Sequence, residues 1–152
     1  MKHSADETTV APDAAGAEGQ GESMFLLLEA ARRVQERLEG ELEAIGLSMA
    51  KYAALVALVA AREPLTLSEL AGRLRCVRSN ITQLVDRLEA DGLVQRVSDP
   101  ADRRAIRAVV TELGAARRAA GAETMSRLQA ELAERVDPAV RQPLHRALSA
   151  LC

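Results

Sequence analysis

Arg103 and Arg104 stand side by side in the run Asp99-Pro100-Ala101-Asp102-Arg103-Arg104, a short charged turn between two apolar stretches. Adjacent guanidinium groups present planar forks of N–H donors, and a neighbouring carboxylate can aim them through charge-assisted hydrogen bonds. The chemistry on offer is anion recognition, with Asp102 placed to steer Arg104. Upstream, Arg78, Ser79, Asn80, Thr82, Gln83 and Arg87 gather a second polar set. Asn and Gln amides can pair with the edge of adenine, and Arg can hold a phosphate oxygen. No catalytic set stands beside them. The histidines are His3 and His145, no Gly-rich phosphate loop or nucleophile elbow occurs, and Cys76 and Cys152 share no ligand spacing with those histidines. Enzyme and metal-sensor readings are therefore disfavoured, and no cofactor is implied.

The elements that must carry these residues follow from apolar spacing. Residues 1–22 are rich in Ala, Gly, Glu, Asp and Thr without aliphatic periodicity, which predicts a disordered tail. Leu27, Ala31, Val34, Leu38, Leu42 and Ile45 recur every three or four residues, a long amphipathic helix that Gly46 stops. Ser48 can cap a helix over Met49–Ala61 that is apolar nearly all round and therefore internal; it ends before Pro64. Thr66-x-x-Glu69 is a capping box for a short helix, Leu67–Leu74. After the turn Arg75-Cys76-Val77, Ile81, Leu84, Val85 and Leu88 mark one face of a further helix, with Ser79 able to cap it and Gly92 ending it; its opposite face is polar. Leu93–Val97 and Ala105–Val110 favour strands, a hairpin with the charged turn at its tip. Thr111 can cap the first of two final helices, which runs to Asp137-Pro138; the second is expected to begin or kink near Pro143.

Composition sets the class. With 152 residues, 48% of them hydrophobic, the chain predicts a globular domain. The run Met49–Ala61 is shorter than the ~20 residues a membrane span needs, the N-terminus lacks the features of a signal peptide, and two cysteines are too few for a disulfide framework. A cytoplasmic protein is expected. The formal net charge of -2 is uneven: residues 62–107 hold 9 Lys+Arg against 7 Asp+Glu, whereas residues 1–61 hold 5 against 10. An arginine-rich middle within an acidic chain suits a nucleic-acid footprint.

A short helix, a tight turn, a helix with one polar face and a basic-tipped hairpin describe a winged helix-turn-helix. The stretches LSELAGRL, ITQLVDRLEADGLVQRVSDPADRRA and VTELG, in that order and spacing, resemble the MarR (multiple antibiotic resistance regulator) family. The fold expected is mainly α with a small β-hairpin: a winged lobe over about 48–111, and dimerisation helices over about 24–45 and 112–151, within a MarR-like domain 23–152. The resemblance implies a homodimer on double-stranded DNA with an inverted-repeat operator, commonly a repressor released by a small ligand or an oxidant. Arg104 would enter a minor groove, and Arg103 would touch phosphate or remain solvated. Arg87 would hold phosphate or pair with Glu69 or Asp91. The turn departs from the family, which usually has a small or apolar residue and a capping Ser where this chain has Arg75, Cys76 and Val77.

Two further sites are open. An effector cleft bordered by the first two helices would be lined by Leu28, Arg32, Tyr52 and Val56; Phe25 and Tyr52 are the only aromatic residues. Cys76 either packs as a small hydrophobe or acts as a redox switch in the same fold. A winged helix used only for protein contacts is the other alternative; it would not need the polar helix face or the arginine turn.

Overall fold

Gly46 ends the first long helix by adopting a left-handed backbone, φ +74°, while its N–H donates to the Glu43 carbonyl at 2.9 Å. An L side chain would strain that turn. The helix is α1 (Ala14–Glu43), followed by α2 (Met49–Ala60), β1 (Leu65–Thr66), α3 (Leu67–Arg73), α4 (Arg78–Ala90), β2 (Val94–Ser98), β3 (Ile106–Val110), α5 (Glu112–Arg135) and α6 (Pro138–Ser149). The computed structural model describes residues 14–99, 102 and 105–150, with the backbone alone at 14–21 and 78. The architecture is mainly α with a small antiparallel sheet, as the sequence predicts.

Two compact units divide after Glu36. In the upstream unit, Glu29 accepts from Arg32 at 2.9 Å and from Arg33 at 2.6 Å, and Arg32 also donates to Glu36 at 2.5 Å. Hydrogen bonds from Arg32 and then Arg33 pull the Glu29 carboxyl from its ordinary 4.5 to about 2. Met24, Phe25, Leu26 and Leu28 are exposed there.

In the downstream unit, Leu42, Leu47, Leu55, Leu70, Ile81, Val85, Leu88 and Val94 form the buried core. Short polar caps hold the helices around it. Ser48 Oγ accepts the Lys51 N–H at 3.3 Å, and Thr111 Oγ1 accepts the Gly114 N–H at 3.0 Å. The sheet runs β1-β3-β2, with Leu65 opposite Ala108 and Arg96 opposite Ala108 on the other side. Gly114 permits a close approach: a Cβ there would fall 2.0 Å from the Leu93 carbonyl oxygen, so α5 rests directly on the turn between α4 and β2.

The structure differs from the sequence reading at four places. The expected hairpin gains a third strand, β1, because the extended backbone leading into the α3 cap lies alongside β3. α1 begins at Ala14, upstream of the boundary near residue 24: once the periodic stretch has nucleated the helix, Ala, Glu and Gln extend it outward despite Gly16, Gly19 and Gly21; residues 1–13 of the predicted tail lie outside the described residues. α6 starts at Pro138 and runs through Pro143: Asp137 accepts the Ala139 N–H at 2.8 Å, and a proline in the first helical position is a stronger start than one further along. Finally, α4 is capped by the extended backbone of Val77, with no side-chain bond, and Ser79 lies inside the helix.

Candidate nucleic-acid interface

α3 sets the stage for α4. Thr66 Oγ1 accepts the Glu69 N–H at 3.2 Å while Glu69 Oε2 accepts the Thr66 N–H at 2.7 Å, so the predicted capping box is complete. Those hydrogen bonds, the backbone one first, hold the Glu69 carboxyl below the usual carboxylate range. Arg75 then turns the chain with φ +50°, and the Cys76 N–H donates to the Ala71 carbonyl at 3.1 Å. A non-glycine residue in the left-handed region is uncommon, and here it redirects the chain into α4.

On α4, Ile81, Val85 and Leu88 are fully buried, which fixes the helix's rotation against the core. Ser79, Asn80, Thr82, Gln83 and Arg87 are consequently exposed. Asn80, Gln83 and Arg87 line one side of a groove of about 500 Å³ whose opposite wall is Ala50 and Ala53, and half-buried Cys76 lies at the same groove. Arg87 pairs with neither Glu69 nor Asp91: the first carboxylate is occupied by the α3 cap, and the second takes Lys51 Nζ at 2.6 Å. The side chain of Arg78 lies outside the described residues.

The charged turn is closed at its base. The Asp99 N–H donates to the Ala105 carbonyl at 3.0 Å, and the Ala105 N–H donates to the Asp102 carbonyl at 2.9 Å. Asp102 is exposed. Arg103 and Arg104, and with them the steering of Arg104 by Asp102, lie outside the described residues. Two arginines with no role predicted from sequence anchor this wing. Arg107 on β3 donates from Nε to buried Asp99 at 2.7 Å and from Nη1 to the Pro64 carbonyl at 2.7 Å. Arg96 on β2 contacts Asp86 at 2.6 Å and Glu89 at 2.9 Å. Burial acts to lower the Arg96 pKa, but the hydrogen bonds and charges of Asp86 and Glu89 raise it overall. The sequence signal was faint: two acidic residues on α4 and an arginine inside a strand.

The remaining candidates divide between the two units. Leu28 is exposed on the upstream unit, and Arg32 there is engaged by Glu29 and Glu36. On α2, Val56 is half-buried, and the Tyr52 ring packs over Gly121, where a Cβ would sit 2.6 Å from two ring carbons. Among the described residues, no cluster of three or more His, Cys, Asp or Glu is placed to hold a metal, and no helix is long and apolar enough to cross a membrane.

This geometry has relatives. Residues 47–106 match the MarR family. The HTH-type transcriptional regulator PrsX of Escherichia coli is 35% identical over 92 residues, which are 60% of this chain and 55% of that protein, so the chain spans about half the length of this curated relative. Among solved structures, the YusO protein from Bacillus subtilis superposes with a TM-score of 0.72 at 23% identity, covering 89% of this chain and 96% of that one. A mutant MarR from Escherichia coli complexed with operator DNA superposes with a TM-score of 0.70 at 23% identity, covering 84% and 91%. At that identity, both likenesses speak for the fold.

Proposed function

Because residues 47–106 are a MarR-family segment, we propose that the chain is a sequence-specific, double-stranded-DNA-binding transcriptional regulator of the cytoplasm. The observation that carries the reading is α4. Its apolar face is locked into the core by Ile81, Val85 and Leu88, which leaves Ser79, Asn80, Thr82, Gln83 and Arg87 outward on one rigid element. A helix so presented suits the major groove, and the wing beside it suits an adjacent minor groove, with Arg104 as the inserted side chain and Arg78 and Arg103 on phosphates. Superposition on a relative complexed with operator DNA supports this assignment. Acting as a homodimer, the protein would occupy an inverted repeat with half-sites about one helical turn, ~10 bp, apart. It would repress from that site until a small ligand or an oxidant released it.

Selecting genomic fragments on the purified protein, followed by footprinting, tests the reading. Protection of two symmetric half-sites is expected; retention of no DNA above random competitor would leave a winged helix for protein contacts. Within this reading Arg104→Ala is expected to weaken operator binding by roughly 1–3 kcal/mol. One observation also favours an oxidant as the releasing signal: Cys76 shares its groove with Asn80 and Gln83. Peroxide would then displace DNA from the wild type and not from Cys76→Ser, whereas a merely packed thiol leaves both insensitive.

A further inference from the structure

β2 is an edge strand of the sheet, and one of its side chains reaches across to α4. Arg96 Nη2 contacts Asp86 Oδ1 at 2.6 Å and the Thr82 carbonyl at 3.4 Å, and Nη1 donates to Glu89 Oε2 at 2.9 Å. Glu89 Oε1 in return accepts the Arg96 backbone N–H at 3.1 Å, taking up a donor of the edge strand. Thr82, Asp86 and Glu89 succeed one another at i, i+4 and i+7, so the guanidinium spans two turns along one face of α4.

The side chains of Asp86 and Glu89 are 54% and 39% exposed, and that of Arg96 is 23% exposed. Solvent screens such pairs, and their contribution to overall stability is small. What a planar fork held at several points does supply is direction. We propose that Arg96 is a positioning residue that locks the wing to the reading helix, so that the two meet DNA as one preset surface. The proposal rests on the DNA-binding reading above. With the angle between wing and helix fixed beforehand, association loses less orientational freedom.

The test compares wild type, Arg96→Ala and Arg96→Lys by thermal melting, amide hydrogen exchange and binding to the selected operator across a salt series. Arg96→Ala is expected to melt within a few degrees of wild type, with faster exchange confined to the wing strands and the second half of α4. Its Kd is expected to rise about tenfold with the salt slope unchanged, because no phosphate contact is removed. Arg96→Lys restores part of the affinity, since a point charge holds one carboxylate and cannot fork to two. A salt slope reduced by about one would make Arg96 a phosphate ligand and overturn the proposal. Wild-type affinity in Arg96→Ala, unchanged exchange, or a global loss of protection with a large fall in Tm would overturn it as well. If the wild type selects no DNA, the regulator reading fails on its own, while the exchange pattern still decides whether Arg96 locks the wing.

Discussion

A single carboxylate oxygen, Glu69 Oε2, accepts both the backbone N–H and the hydroxyl of Thr66, at 2.7 and 2.8 Å. The ionised form makes these bonds, which is why the Glu69 pKa is lowered on folding. The unfolded chain therefore binds the extra proton first. The contribution of this carboxylate is present above its unfolded pKa and disappears as pH falls through its lower folded value. NMR of the α3 amides during an acid titration is expected to show the first turn loosening below the usual glutamate range, ahead of α4. Thr66→Ala removes the other half of the box and is expected to lower stability by about 1 kcal/mol in a denaturant melt. This much was legible from Thr66 and Glu69 alone, because a capping box is a local arrangement. The roles of Arg96, Asp99 and Arg107 were not, since each depends on a partner that only the folded sheet and helices bring near.

Among the elements, the contact of α5 with the α4–β2 turn is the tightest fit described. Gly114→Ala would set a methyl 2.0 Å from the Leu93 carbonyl oxygen and 3.0 Å from Val110 Cγ1. The nearest obstacle is backbone, so relief requires moving α5 itself. A loss of roughly 3 kcal/mol is expected by denaturant unfolding, beyond the effect of helix propensity, which by itself favours alanine. A variant as stable as wild type would mean that the helix slides without resistance. Element identity was read well where periodicity and caps agreed, as in α2 and α3. It was read less well where one signal stood alone. β1 is two residues long and exists because β3 offers a partner, which no local pattern announces. Pro143 looked like a boundary, yet the pairing of Asp137 with Pro138 outweighed it, and Ser79 looked like a cap although Val77 already supplied the extended backbone.

At the scale of the whole molecule, exposed apolar residues need a covering. Val140, Leu144 and Leu148 repeat every four residues along α6, and Met24, Phe25, Leu26 and Leu28 are exposed on α1. Apolar rows of this kind suit interaction surfaces, and the two-fold pairing of identical chains proposed above would close them. Light scattering of the full chain is expected to give twice the chain mass, and Leu144→Glu with Leu148→Glu to give a monomer that protects no inverted repeat. The register of Leu65 with Ala108 also joins residues far apart in the chain. β2 and β3 are joined by a short turn and can zip within microseconds. β1 pairs with β3 across the intervening α3, α4 and β2, and closing that longer loop carries the larger entropy cost. Leu65→Ala is thus expected to speed unfolding while leaving the refolding rate nearly unchanged, whereas Val94→Ala slows refolding. A chevron in which Leu65→Ala moves the refolding arm instead would place the β1 stitch in the rate-limiting step. That stitch also lies immediately before α3, the first helix of the pair proposed to carry the reading surface, so a break there would free the start of that pair.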